Sequence, residues 1–244
     1  MKKTIESVFE QTFIDFEYIV IDGDSADSSK EYIEQYTNKL AYWISEKDGG
    51  VYEAMNKGIA QASGTYLLFL NSGDYFNAKD VLQKLLKESN NEDIIYGNIY
   101  VIEKENSWIK TYPAVLSFEY FLKDTLPHPA SLIHASLFKK TGMYNQSNRI
   151  VSDWEFFLNA ICKQNASYKY VPLTVAVFNR DGLSSLPQSH ELIKEEKQRV
   201  LQMQYAGFLP DYQEKSRIES ELNNIRHSRV YKFSNTLRRL LFIK

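Results

Sequence analysis

At 244 residues, with 43% hydrophobic and 25% charged side chains, the chain can bury a substantial core in one main domain with an appendage. Lys+Arg 29 against Asp+Glu 31 gives a formal net charge of −2, which argues against nucleic acid as a partner and confines any basic surface to a local patch. Cys162 is the single cysteine, so a disulfide framework and a cysteine-rich zinc site are excluded, and its apolar surroundings (Phe156 to Cys162) predict a small buried side chain. Lys2-Lys3 is followed by Thr4-Ile5-Glu6-Ser7 rather than an apolar stretch, and no run approaches the ~18 apolar residues of a membrane span. A cytoplasmic location is the expectation.

The first half alternates helix-period and strand-period segments, the pattern of a sheet covered by helices. Residues 4–12 place Ile5, Val8 and Phe9 on one helical face. Residues 17–22 (EYIVID) form a β-branched run of the kind buried on both sides, ending in the polar turn Gly23 to Ser29 before a helix over 30–37. A weaker strand at Ala41 to Ile44 leads through Ser45 to Gly50 into a helix over 52–62, and Thr65 to Leu70 reads as a buried strand that stops at Asn71-Ser72-Gly73-Asp74. The acids Asp22, Asp24, Asp27, Asp48 and Asp74 therefore cluster at strand ends, where open α/β sheets form their ligand crevice. For each acid, turn and helix-cap duty is an equal alternative. The loops lack the G-x-G-x-x-G pattern of dehydrogenases, and an acidic crevice points instead to a divalent cation with a phosphorylated ligand.

The blocks Thr4 to Thr12, Tyr18-Ile19-Val20-Ile21-Asp22-Gly23-Asp24-Ser25-Ala26-Asp27, Ser45-Glu46-Lys47-Asp48-Gly49-Gly50-Val51-Tyr52-Glu53-Ala54-Met55-Asn56-Lys57-Gly58, Ala62-Ser63-Gly64 and Leu70-Asn71-Ser72-Gly73-Asp74 resemble the family 2 glycosyltransferases. The resemblance covers residues 4–80 most closely and 94–186 more loosely. It implies an A-type glycosyltransferase fold, a mixed and mostly parallel α/β sheet flanked by helices, over 1–186, with a donor-binding half (1–93), an acceptor and catalytic half (94–186) and a helical extension over 187–244. It further implies inverting transfer of one sugar from a nucleoside-diphosphate sugar, UDP-linked by expectation, to a glycan or lipid-linked acceptor, since the Q-x-x-R-W motif of processive synthases is absent. Asp22, Asp48 and Asn71 match donor-binding positions. Asp74 matches the last acid of the family's metal motif, which holds Mn2+ or Mg2+ against the donor diphosphate; Asn71 and Gly73 stand where many relatives carry acids.

A strand over 94–99, a loop at Leu126-Pro127-His128-Pro129 entering another strand, and a helix ending at Gly142 come next. Ser152-Asp153-Trp154-Glu155 opens a further helix and resembles the family's base motif, which makes Asp153 the candidate general base. A base is required because a sugar hydroxyl is a poor nucleophile until its proton is taken; a helix cap is the plain alternative for Asp153. His128, Trp154 and Glu155 are candidate acceptor contacts, His128 being equally a structural histidine and Glu155 equally a structural contact. Phe178 to Ser184 resembles the family's loop at the donor diphosphate, with Arg180 as a phosphate partner.

A charged helix is expected from Ser189 to Tyr205, then a polar one after Pro210 carrying Ile218, Leu222 and Ile225 at helical spacing. Residues 226–244 hold Arg226, Arg229, Lys232, Arg238, Arg239 and Lys244 with no acid, interleaved with apolar residues at three and four. Such a helix either lies on an anionic membrane surface, peripheral to the inner face of the cell membrane, or packs on its own domain or a homodimer partner. The family's opening strand has no counterpart ahead of Thr4, so the strands at 17–22 and 65–70 should lack a shared neighbour: either the native start lies upstream or the chain is a truncated, non-catalytic relative. A sugar nucleotidyltransferase is the weaker rival, because its glycine- and lysine-rich phosphate loop is missing.

Overall fold

The computed structural model describes residues 1–182 and 185–228. One compact unit spans Met1–Lys197 and a second Gln198–Lys244. In chain order the elements are α1 (Lys2–Phe9), β1 (Ile19–Asp22), α2 (Ser29–Glu34), β2 (Tyr42–Ser45), α3 (Val51–Gln61), β3 (Tyr66–Leu67), β4 (Tyr75–Phe76), α4 (Val81–Lys87), β5 (Ile94–Glu103), β6 (Asn106–Lys110), α5 (Phe118–Lys123), β7 (Ser131–His134), α6 (Ala135–Thr141), α7 (Ser152–Cys162), β8 (Tyr168–Asn179), α8 (Ser189–Tyr205) and α9 (Leu209–His227). Short 3-10 turns precede β2 and β7 at Thr37–Lys39 and His128–Ala130.

The architecture is the mixed α/β arrangement with a helical C-terminal extension that the sequence pattern implies. Parallel pairing is narrower than expected, however: among the described residues it is confined to β1–β2 and β5–β8, while β3–β7, β5–β7, β5–β6 and β4–β8 are antiparallel. The physical reason for one of these is the short turn between β5 and β6, which permits a hairpin and no crossover. Strand β5 organises the main sheet, ordered β3-β7-β5-β8-β4. Its first residues pair β7, its last pair β6, and β8 runs along the other edge with a register shift around Gly97. A Cβ at Gly97 would stand 2.5 Å from the Leu173 carbonyl oxygen, so the two backbones approach closely only because that side chain is absent.

Strands β1 and β2 form a separate two-stranded sheet. The run Thr65 to Leu70, read from sequence as one buried strand, yields only the two-residue β3, because Leu68, Phe69 and Leu70 find no ladder partner among the described residues. Thus, among the described residues, β1 and β3 share no neighbour, and each has one edge without a strand partner. Both edges line one large cleft of about 1660 Å3 in the first unit.

Around β5 the core is dense. Tyr96, Phe121, Ile133, Leu137, Trp154 and Phe157 are fully buried, and an aromatic stack runs Phe69, His128, Tyr144, Phe138, Phe156. Asn56 of α3 is clamped into this body by two bonds to Tyr144: its amide donates to the Tyr144 carbonyl at 2.8 Å and its oxygen accepts the Tyr144 N–H at 3.0 Å.

Cys162 is exposed rather than buried, since it occupies the last turn of α7, where the helix leaves the core. In the second unit, α9 carries Ile218, Leu222 and Ile225 exposed. The basic stretch from Arg229 to Lys244 lies outside the described residues. Among the described residues no helix is long and apolar enough to cross a membrane.

Candidate active site

The cleft is walled by the ends of β1 and β3, the loop Asn71 to Asp74, the turn at Pro127 to Pro129, the start of α7 and Lys197 of α8. Asp22 closes β1 and is buried. Ser25 donates its backbone N–H at 3.1 Å and its hydroxyl at 2.5 Å to the Asp22 carboxylate, and the Ser45 hydroxyl donates at 2.7 Å. Burial raises the pKa of Asp22, but the Ser25 and Ser45 hydroxyls and the Ser25 and Asp24 amides outweigh it and hold the carboxyl below the ordinary aspartate range. Asp22 is therefore a fixed anion at the cleft wall.

Asp48 is half-buried and accepts the Gly50 N–H at 2.9 Å. Its carboxylate stands beside Gly23, where an added Cβ would meet it at 2.7 Å, so Asp48 flanks the Asp22 loop without itself lining the cleft.

Asp74 differs in kind. Its carboxylate is buried and accepts one long bond, from the Asn179 backbone N–H at 3.3 Å, and burial pushes its pKa up to about 7. The loop reaches it through Gly73, whose φ of +104° is open to glycine and costly for other residues. Asn71 lines the cleft and its carbonyl accepts the Asp74 N–H at 3.0 Å. A buried carboxylate with so little hydrogen bonding lacks a counter-charge. That donor set fits a divalent cation whose other ligands are phosphate and water oxygens. Among the described residues no group of three or more His, Cys, Asp or Glu could hold a metal by itself.

Asp153 stands in the first turn of α7 and lines the same cleft. Tyr52 of α3 directs its hydroxyl at the Asp153 carboxylate (2.7 Å) and at the Ile150 carbonyl (2.6 Å), one proton serving two acceptors. Burial first, and the Asp153 charge second, push the Tyr52 pKa well above its ordinary value, so Tyr52 stays a donor. The segment before α7 is held from a distance: the buried Glu196 carboxylate accepts the N–H groups of Arg149 (2.6 Å), Ile150 (3.1 Å) and Val151 (3.3 Å). The N-cap position of α7 is Val151, so Asp153 does not cap the helix, and the buried Ser152 hydroxyl finds no hydrogen-bond partner among the described residues.

Of the remaining sequence candidates, His128 lines the cleft but is buried, stacked on Phe69 at 4.8 Å and hydrogen-bonded through Nε2 to the Tyr144 hydroxyl at 2.7 Å. Burial lowers its pKa, so the ring is neutral near pH 7. Trp154 is buried beside the cleft, donating Nε1–H to the Phe121 carbonyl at 2.7 Å. Glu155 faces away, accepting the side-chain amides of Asn145 (3.0 Å) and Asn148 (2.6 Å) outside the cleft. Arg180 pairs with Glu103 at 3.1 Å and does not line the cleft; Asn179 and Asp181 on either side of it do. Tyr52, Asn179, Glu196 and Lys197 belong to this constellation and were not picked out from sequence. Tyr52 sits inside the block Asp48 to Gly58, in the first turn of α3, so the block itself could have singled it out; Glu196 and Lys197, on a polar helix remote in sequence, gave no signal.

Comparison with known proteins places the family and the fold. The family described as glycosyl transferase family 2 matches residues 1–151. A PGL/p-HBAD biosynthesis glycosyltransferase of Mycobacterium tuberculosis is 28% identical over 197 residues, covering 78% of this chain and 76% of the relative. An uncharacterized glycosyltransferase of the same species is 36% identical over 168 residues, covering 66% of this chain and 63% of the relative. Among solved structures, S. aureus TarS 1-349 in complex with UDP-GlcNAc superposes with a TM-score of 0.63 at 20% identity, covering 100% of this chain and 72% of that one. The mannosyltransferase PcManGT of Pyrobaculum calidifontis, in complex with GDP-Man and Mn2+, gives 0.54 at 14% identity, covering 72% and 52%. The solved structures share the fold of this chain. The chain belongs to glycosyltransferase family 2 and is a glycosyltransferase.

Proposed function

We propose that the chain transfers a single sugar, with inversion, from a nucleoside-diphosphate sugar to a hydroxyl of a glycan or lipid-linked acceptor. The observation that carries this reading is that Asp74, a buried carboxyl short of partners, and Asp153, a carboxylate oriented by Tyr52, line one cleft. Solved relatives in complex with UDP-GlcNAc and with GDP-Man and Mn2+ support a nucleotide-sugar donor.

In this reading Asp22 receives the nucleoside, with Asp48 flanking its loop at Gly23, and Asp153 takes the proton of the acceptor hydroxyl as its oxygen attacks the anomeric carbon. The bond to the diphosphate breaks on the opposite face, which inverts the centre. Tyr52 keeps the Asp153 carboxylate aimed, and Trp154 and His128 form the acceptor-side wall. Asp74 would hold a Mn2+ or Mg2+ ion, which supplies positive charge where the departing diphosphate gathers negative charge.

Calorimetry of UDP binding with and without Mn2+, on this chain and on Asp74→Ala, tests the assignment. Metal-dependent binding that strengthens as pH rises from 6 to 8 is expected, because Asp74 must shed its proton near pH 7 before it holds a cation. Metal-independent UDP binding, equal in wild type and Asp74→Ala, would remove Asp74 from the role.

A further inference from the structure

The cations of the cleft come from one part of the chain. Five of its acids, Asp15, Glu17, Asp22, Asp27 and Asp74, belong to the first 93 residues; the later residues contribute Asp153 and Asp181 together with the lysines and arginine that line it among the described residues, Lys110, Arg149 and Lys197. Acids are what a cation-bridged diphosphate needs. The cations have no such use in the reaction as read above, since the nucleophile beside Asp153 is a neutral hydroxyl.

Lys197 is the pivotal member. It is half-buried on α8, directly after Glu196, whose three bonds to the Arg149 to Val151 backbone fix this turn of the helix beside the base. Its ammonium lies 4.9 Å from the centre of the Trp154 ring and is close enough to Asp153 and Asp124 to feel both charges. Among the described residues it makes no hydrogen bond and no ion pair. Lys110, by contrast, is spoken for, donating to Asp124 at 2.8 Å. Burial lowers the Lys197 pKa, as expected of a cation removed from water without an anion in contact. A half-buried ammonium that rests on an aromatic face with no anion in contact, near a carboxylate that must stay free to accept a proton, is a binding group waiting for an anion.

We propose that the acceptor carries an oxyanion, a phosphate or a carboxylate, close to the hydroxyl that is glycosylated, and that Lys197 binds it, with Arg149 and Lys110 adding to the field. The inference rests on the glycosyltransferase reading of the cleft and names the acceptor class for it. Lys197 is thus a specificity residue: it selects which hydroxyl-bearing molecule presents itself to Asp153.

The test separates donor binding from anion binding. UDP with Mn2+ is titrated first, into wild type, Lys197→Met and Lys197→Arg, with thermal melting to confirm folding; this reads only the donor end. Glycerol 3-phosphate, glucuronate and neutral glycerol are then titrated into the same proteins, both UDP-loaded and free. The expected result is saturable binding of at least one of the two anions but not of glycerol, weakened about tenfold in Lys197→Met and kept in Lys197→Arg. Preference between the anions tells a phosphorylated acceptor from an acidic sugar. Equal anion binding by wild type and Lys197→Met, or no anion binding by wild type, overturns the proposal. Loss of UDP binding alone would sink the donor reading and leave the anion comparison to decide on Lys197.

Discussion

Residues around β1 and β2 enclose a small core in which Ile5, Val20 and Ile33 are buried and Met1, Phe9, Tyr18, Tyr32, Tyr36, Leu40 and Trp43 lean on them half-exposed. The body around β5 instead buries Trp154, Tyr96, Phe121 and Phe157 completely, cross-linked by ring stacking and by Asn56. In the proposed reaction the thin layer carries Asp22, and the dense body carries both Asp74, bonded to Asn179 of β8, and the base. Grip on a nucleotide tolerates local give, whereas proton abstraction needs a carboxylate held within a few tenths of an ångström of its target.

Asp153→Asn gives the largest expected effect and tests the dense side. Sugar transfer should fall about a thousandfold, within the range general-base removal produces, while UDP affinity is unchanged. Retained turnover would move the base elsewhere. A paired comparison follows. Phe157→Ala should cost about 3–5 kcal/mol and lower the urea midpoint of the whole unit. Ile33→Ala should cost about 2 kcal/mol, open the β1 and β2 amides to hydrogen exchange first, and weaken UDP binding without changing the Asp153 environment. Uniform exchange across both layers in Ile33→Ala would erase the distinction between them. The smallest effect belongs to the link between the two, Tyr52→Phe, which removes one donor from Asp153 and should slow transfer about tenfold, through kcat rather than KM. A change confined to KM would recast Tyr52 as a substrate contact.

Legibility followed position in the chain. The blocks around Asp22, Asp48 and Asp74 were readable because strand-end loops carry local signals: turn residues, a β-branched run, an abrupt stop. Beyond residue 94 the sequence pointed to Asp153, His128, Trp154 and Glu155, of which all but Glu155 line the cleft, but not to what orients them, because that comes from far along the chain. Nothing near Glu196 marks it as the carboxylate that fixes the segment before α7, and a charged residue on a polar helix reads as solvated until the fold is known. Arg180 shows the converse: its loop pattern pointed at phosphate, while in space Glu103 answers its charge. The run 65–70 had strong strand propensity, but a strand needs a neighbour as well as a sequence.

The unpaired edges of β1 and β3 bear on how this protein behaves in a tube. Backbone amides and carbonyls left in rows beside an apolar wall act as templates for any extended chain that arrives, including a second copy of the same molecule. Purified at high concentration, the protein should therefore drift toward edge-to-edge association, and each contact made that way would occupy a wall of the nucleotide cleft. Donor affinity measured on concentrated stocks would then fall with protein concentration, a dilution effect that belongs to colloid behaviour rather than to catalysis.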